Sequence, residues 1–285
     1  MCKTPRDNEV DHYNQLYTTQ DFKSWLKFFF SHPGIENLID LSYQHCSPET
    51  MIMNDIWDSP AWRSMGLFIT TAENLTFSFF IDWFNPFMNK TTGKMISCGA
   101  IIMFCLNLPY YLHHKPQNTF FARITSLPHK LSVTTIITLL DPIIDQLRHF
   151  HHGVIVHTYC YPEGIMKCIG ILVLIGDLPA IRKALGFARI AFLHHFCSFC
   201  SLGRSDIESL DVDLWRPQIG LEVIVAAEEW QQVLTKKRCT ELFKRNNMQW
   251  SSLHQLSYWD PVKHTVLGIM HNWLEGILQY HVCVK

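Results

Sequence analysis

The stretch Leu75-Thr-Phe-Ser-Phe-Phe-Ile-Asp82 decides the fold, because its apolar and polar residues alternate. Leu75, Phe77 and Ile81 fall on one side of that alternation, and a period of two predicts a β-strand. The strand ends just before the turn-forming pair Asn85-Pro86. Asp82 is therefore predicted at the end of a strand.

A second stretch, Cys168-Ile-Gly-Ile-Leu-Val-Leu-Ile175, is almost purely apolar and predicts a central strand covered on both faces. It leads directly into Gly176-Asp177-Leu-Pro179. Further strands are predicted at residues 96–106, 119–124 and 153–159. Helices are predicted at residues 21–30, 47–62, 134–150 and 228–245 and up to about residue 282, with Asp141-Pro142 as an N-cap and first turn. This pattern predicts an α/β fold.

The composition, with 285 residues, 48% apolar and 17% charged, is that of a chain with a sizeable core. We expect an N-terminal helical region at residues 1–70 and one principal domain at residues 71–285. The net charge of −1 shows no overall basic excess. Affinity for nucleic acid, if present, must therefore come from local patches.

The ten cysteines form no evenly spaced framework, and no apolar signal segment is visible. We therefore expect an intracellular, reducing compartment without structural disulfides. An alternative is a membrane protein that uses the uncharged run at residues 95–112, whose length approaches the roughly 20 residues of a spanning helix. Asn107 and Pro109 favour a buried strand followed by a turn instead.

Two strand-end aspartates, Asp82 and Asp177, and a late glutamate, Glu275, form a set that a two-metal nuclease requires. Carboxylate oxygens suit Mg²⁺ or Mn²⁺, and two such ions are expected here. We expect the two aspartate carboxylates to approach within about 6 Å, close enough to share an ion. The alternative is that both aspartates only cap turns.

The second candidate site is the pair Cys197-Ser-Phe-Cys200 together with His264 and His271. Two thiolates and two imidazoles are the ligands of a tetrahedral structural Zn²⁺. We expect His264 to lie in the loop after Asp260. His271 and Glu275 are four residues apart and should share one face of the last helix. The alternative is ordinary buried cysteines and packing residues.

Several basic residues are predicted on one late helix that begins with two glutamates. This charge order suits the helix dipole, so a solvated face is favoured over a DNA-binding stripe. The basic residues are Lys236, Lys237, Arg238, Lys244 and Arg245.

Several segments resemble the blocks of CACTA-type (En/Spm-like) DNA transposases, in the same order along residues 55–285. Phe79-Phe-Ile-Asp-Trp-Phe-Asn-Pro-Phe87 resembles the family's "VDWFNP" block, and Asn107-Leu-Pro109 resembles its "NLP" segment. Asp177-Leu-Pro-Ala180, Gly186-Phe187 and the C-x-x-C pair resemble its next block. Tyr258-Trp259, His264 and Met270-His271 resemble its "YW … H … MH" block, and His271-Asn-Trp-Leu-Glu-Gly276 resembles the version in fungal elements.

The resemblance implies a ribonuclease-H-like mixed sheet flanked by helices, with Asp82 and Asp177 as the first two acids of a DDE set. It also implies a helical insertion at about residues 185–260, stapled by zinc through the four cysteine and histidine ligands. The implied activity is transposition of DNA in the nucleus, by an assembly of several copies acting on element ends and target DNA.

The sequence departs from the plant members at Gly268 and Trp273, where they carry acidic residues, so Glu275 is the expected third acid. The chain also stops ten residues after Glu275, whereas family members continue. The alternative is therefore a truncated, catalytically inactive remnant with a structural or protein-binding role.

Overall fold

The computed structural model describes residues 18–45, 52–84, 97–127, 133–188, 197–206 and 208–283. The chain divides into two compact units. The first, here called the sheet unit, comprises the described residues of Tyr17–Lys130 and Pro142–Gly176. The second, here called the C-terminal unit, comprises the described residues of Leu131–Asp141 and Asp177–Lys285.

The sheet unit is built on six strands in the order β1-β4-β3-β2-β6-β5. Neighbours in this order are antiparallel except β2 and β6, which run parallel. The fold is therefore α/β with an open mixed sheet, as the sequence predicts at this level. The strands are β1 Thr18–Thr19, β2 Asn74–Phe84, β3 Ser97–Cys105, β4 Thr119–Leu127, β5 Val154–Val156 and β6 Ile165–Gly176.

Short helices precede and connect these strands. The first begins where the Asp21 side chain accepts a hydrogen bond from the Ser24 N–H at 2.7 Å, and it ends before Pro33 and Gly34. Gly34 has a φ of 86°, which only glycine adopts without strain. These short helices are α1 Phe22–Phe30, α2 Ile35–Gln44, α3 Pro60–Ser64, α4 Leu67–Thr70 and α5 Tyr110–His113. The long helix α6, Val133–His151, belongs to the sheet unit from Pro142 onward.

The sheet is covered on both faces. On one face, the Phe22 ring of α1 packs against Phe77 and Phe120 with ring centroids 5.5 and 4.6 Å apart. On the other, Trp57 and Trp62 pack in a buried cluster with Val173 of β6. Burying aromatic side chains of this size contributes about 2–3 kcal/mol each, so these two layers hold β2 and β6 in the centre of the sheet.

Asn107, at the turn after β3, is fully buried and joins three parts of the sheet unit. Its Oδ1 accepts the Thr76 N–H at 2.7 Å, and its Nδ2 donates to Ser42 Oγ at 2.9 Å. The first residue of the segment that resembles the family's "NLP" block therefore has a structural role. Asn107 fixes the start of β2, the strand that carries Asp82.

The C-terminal unit is mainly helical. Its elements are α7 Leu178–Leu185, α8 Gly220–Gln232, α9 Lys236–Asn246, β7 Thr265–Leu267, a π-helix Met270–Leu278 and α10 Gln279–Cys283. Helix α7 ends at Gly186, which has a φ of 80° and packs against the backbone of Gln249. The Gln249 N–H donates to the Gly186 carbonyl at 2.9 Å, so this glycine anchors α7 to the later chain.

Two helix predictions were wrong. Pro142 lies inside α6 rather than at a helix start, because buried Ile143 and Ile144 favour continuing the helix over breaking it. The helix predicted at residues 228–245 is two helices, because Val233 is extended and Thr235 caps α9 by accepting the Arg238 N–H at 3.4 Å. The helix predicted at residues 47–62 is confirmed only at its end. From residue 52, where the description of this segment begins, residues 52–55 are not helical, Ile56–Asp58 form a short 3-10 helix, and the α-helix begins at Pro60.

The apolar run predicted as a strand and a turn is confirmed over its described residues. It forms β3, a turn at Leu106 to Pro109 and the start of α5. Within the described ranges, no helix is long and apolar enough to cross a membrane. The described part of residues 1–70 contributes to the core of the sheet unit through Phe22 and Trp25.

Candidate functional site

Asp82 lies in β2, two residues before the strand ends at Phe84. It pairs with Ala100 of β3 in the antiparallel ladder and is half-buried. Its Oδ1 accepts the Trp83 N–H at 2.7 Å.

Asp177 follows β6 directly and is the N-cap of α7. Its Oδ1 accepts the Ala180 N–H at 2.6 Å, and its carbonyl accepts the Ile181 N–H at 3.0 Å. The capping role considered from the sequence is thus present. An N-cap carboxylate is stabilised by the helix dipole, and its second oxygen can still coordinate an ion.

The strands that lead to these aspartates are neighbours in the sheet unit. Ile81 of β2 and Gly176 of β6 are partners in the parallel ladder. A register shift between Phe77 and Ser78, a β-bulge, sets this alignment. No sequence pattern predicts that bulge, although both strands were predicted.

Glu275 lies in the π-helix Met270–Leu278. π-Helices are rare and occur frequently at functional sites. The side chain of Glu275 is outside the described part of the chain, as is that of His271. Their expected orientations stay predictions.

Cys197 and Cys200 lie in a tight turn whose backbone N–H groups point at the sulfur of Cys197. The N–H groups of Phe199 and Cys200 both donate to Cys197 Sγ at 3.3 Å. Burial raises the pKa of the Cys200 thiol, the Leu202 N–H lowers it, and the adjacent Cys197 raises it further. The two sulfurs therefore lie together and offer a donor pair that fits a thiolate-binding metal such as Zn²⁺.

His264 lies in the turn after Asp260, where it was predicted. Its Nδ1 accepts the Asp260 N–H at 3.0 Å, which leaves Nε2 as the nitrogen able to face a ligand. Burial lowers the pKa of this imidazole, so the neutral form that binds metals is favoured. Among the side chains that the structure describes, no three His, Cys, Asp or Glu residues are grouped to hold a metal ion, so His264 does not complete the cysteine pair there.

Arg182 of α7 was not predicted as a site residue. It is only 2% exposed, and its Nη1 donates to Ser198 Oγ at 3.0 Å beside the cysteine turn. Burial lowers the pKa of its guanidinium to about 10, and the nearby Cys197 raises it. The only sequence signal is its helical phase, four residues after Leu178 and three before Leu185 on the apolar face.

The basic residues do not follow the predicted dipole arrangement, because the helix is broken. Lys236 and Lys237 lie in the first turn of α9, where the dipole disfavours cations. At the other end, Arg245 pairs with Glu229 of α8 at 2.5 Å, with both side chains about half exposed. All five basic side chains are exposed, as the predicted solvated face requires.

Comparison with protein-family models gives no match, and comparison with curated proteins gives none either.

Proposed function

We propose that this chain is the catalytic core of a DNA transposase with a ribonuclease-H-like fold, which nicks DNA and transfers strands of a mobile element. Asp82, Asp177 and Glu275 are its catalytic and metal-binding acids. The open mixed sheet is compatible with the fold that the resemblance implies. The partners are DNA, as element ends and target, and further copies of the chain in a nuclear complex.

The observation that carries this proposal is the parallel register of Ile81 with Gly176. Each of these residues is followed at once by an aspartate. The carboxyl ends of neighbouring parallel strands lie at the same edge of a sheet, which is where α/β proteins bind their ligands. An N-cap role would explain Asp177 but not Asp82. One shared ion would explain why an aspartate follows each of the two paired residues.

The three acids would hold two Mg²⁺ or Mn²⁺ ions through their oxygens. Such ions, when bound, make a nucleophile of water or a 3′ hydroxyl and stabilise the oxygen that leaves phosphorus. Asp82 contributes from a strand held on both sides by ladder partners. Asp177 contributes from a cap whose hydrogen bond to Ala180 fixes the direction of its carboxylate.

A structural Zn²⁺ belongs to the same proposal, with Cys197, Cys200, His264 and His271 as its ligands, and it requires His264 to move to the cysteine pair, with which it is not grouped among the described side chains. The donor pair in the cysteine turn supports it, since soft thiolates select such a metal. This zinc ion would hold together the insertion at about residues 185–260, and its binding free energy would contribute to the stability of the fold.

The second candidate function is a catalytically inactive remnant with a structural or protein-binding role. The exposed apolar side chains of the C-terminal helices favour it, because a protein surface of that kind is a common interaction site. They include Ile269, Met270, Trp273, Leu274 and Tyr280, all about half or more exposed.

The experiment that separates the two functions is a nicking assay on supercoiled plasmid with the purified chain and Mg²⁺ or Mn²⁺. We expect conversion to open-circular DNA that EDTA abolishes. Asp82→Asn should remove it, while Asp145→Asn, an exposed substitution on α6, should leave it unchanged. No nicking under any condition by a folded protein would favour the remnant, and nicking that needs no metal ion would contradict the two-metal site.

A further inference from the structure

The last helix of the C-terminal unit exposes large apolar side chains to solvent. It consists of the π-helix Met270–Leu278 and α10 Gln279–Cys283, and Ile269 directly precedes it. Its exposed apolar side chains occur in pairs at intervals of four residues. The pairs are Ile269-Met270, Trp273-Leu274, Ile277-Leu278 and His281-Val282, in which only His281 is not apolar. The seven apolar members are between 37% and 72% exposed.

This spacing gathers the pairs on one side of the helix, because residues four apart share a helix face. The seven apolar residues of the four pairs are here called the apolar stripe. The residues between the pairs are polar or small, except Tyr280. A continuous exposed apolar surface of this kind marks an interaction site rather than an ordinary solvated face.

The side of the helix opposite the stripe is polar and carries no basic residue. There the Nδ2 of Asn272 donates to the Gly268 carbonyl at 2.8 Å, which ties this side to the preceding turn. Helices that lie on a membrane surface are rich in Lys and Arg on their polar face, and binding to nucleic-acid phosphates needs such cations as well. No Lys or Arg occurs between residues 269 and 283. The stripe therefore favours a protein partner.

We propose that the apolar stripe is the contact between two copies of this chain, whose last helices pack antiparallel. A two-fold contact uses the same surface on both copies, so that surface must be complementary to itself. The pairs are symmetric about the midpoint between Glu275 and Gly276. In an antiparallel arrangement, Leu274 of one copy therefore lies opposite Ile277 of the other, and the remaining apolar pairs also face each other across the contact.

The exposed area is of the size that a dimer needs. At roughly 150–250 Å² for each large apolar residue, the exposed fractions amount to about 700 Å² on one copy. A standard interface buries about 800 Å² on each partner, so the stripe with its polar margins approaches that area. The inference supplies the contact that the several copies in the proposed function require, but it does not rest on the catalytic acids.

The measurement is sedimentation equilibrium of the full chain over a range of concentrations, where we expect dimers. Leu274→Glu and Ile277→Lys each place a charge in the stripe. Each substitution occurs twice in a symmetric contact, so each should weaken dimerisation by more than about 100-fold. Leu221→Glu, at an exposed leucine of α8, is the matched control and should leave the dimer unchanged. Circular dichroism establishes that each variant is folded, and either stripe variant alone is a sufficient test if the other unfolds.

An equimolar mixture of Leu274→Glu and Ile277→Lys tests the antiparallel arrangement. In the mixed dimer the introduced carboxylate and ammonium lie opposite each other, so mixing should restore dimers that neither variant forms alone. A mixture that stays monomeric overturns the antiparallel contact.

An unaltered chain that is monomeric at every concentration overturns the inference, and so do folded stripe variants that dimerise as well as the unaltered chain. A monomer that floats with phosphatidylcholine vesicles would assign the stripe to a lipid surface instead. Dimers that do not nick DNA leave the inference standing and contradict the proposed function, whereas nicking by a monomer does the reverse.

Discussion

Ile81 and Gly176 are partners in the only parallel ladder of the described sheet unit, and each precedes an aspartate. The pairing places the ends of β2 and β6 side by side, although 95 residues separate them in the chain.

Asp177 serves as a cap and, in our proposal, as a metal ligand, and two substitutions separate these roles. Asp177→Asn keeps the cap, because asparagine is an equally good N-cap. We expect it to lose nicking activity while the free energy of unfolding changes by less than about 1 kcal/mol. Asp177→Ala should lose nicking and about 1 kcal/mol of stability as well, because the Ala180 N–H loses its partner. Retained nicking in the asparagine variant would reduce Asp177 to a cap.

Glu275 is the expected third acid. Glu275→Gln should abolish nicking, because a two-metal site with two carboxylates holds its second ion weakly. Zinc content and melting temperature should stay unchanged, since the substitution keeps the size of the side chain. Glu208→Gln, in an exposed turn elsewhere in the C-terminal unit, serves as a control for the loss of one negative charge. Full activity of Glu275→Gln would mean that another residue supplies the third ligand.

Gly186 is required by both its backbone conformation and its packing. A Cβ there would lie 2.2 Å from the Gln249 carbonyl oxygen, whereas at Gly34, which has a similar φ, nothing lies within 4 Å. Gly34→Ala should therefore cost about 1–2 kcal/mol of unfolding free energy from φ alone. Gly186→Ala should cost about 1–3 kcal/mol more, from the backbone clash. Equal losses in urea unfolding would show that the close approach to Gln249 does not exist.

His254 makes stability depend on pH. Burial lowers the pKa of its imidazole from 6.5 to about 4. The unfolded chain therefore binds this proton first as the pH falls. Stability is fully present above about pH 6.5 and is lost as the pH drops toward 4, by about 3 kcal/mol over the window. Urea titrations across this range should show a steeper loss for the natural chain than for His254→Gln. Parallel curves for the two proteins would contradict the shift.

Alternation and apolar runs predicted the central strands, because β2 and β6 are buried by the same periodicity that the sequence displays. The turns at Gly34 and Leu106 to Pro109 were also predictable, since Gly, Asn and Pro determine local backbone geometry. Local signals failed at Pro142 and Val233, where tertiary packing and a cap decide between continuing and ending a helix. Such choices depend on partners that lie far away in the sequence.

The candidate site was predictable only in part. Cys197 and Cys200 are close in sequence, so their pairing follows from local geometry. The bulge at Phe77 and Ser78, which sets the register of Ile81 with Gly176, depends on the pairing of two distant strands. Arg182 also escaped sequence reasoning, because an arginine that binds a turn has no spacing signature of its own.

The most direct test of the central claim is the location of Mn²⁺ by anomalous diffraction from crystals of the full chain soaked in MnCl₂. Our account predicts Mn²⁺ bound by oxygens of both Asp82 and Asp177, with the two carboxylates within about 6 Å of each other. Carboxylates more than about 10 Å apart, or Mn²⁺ that binds elsewhere and leaves both aspartates without an ion, would contradict the assignment of the active site.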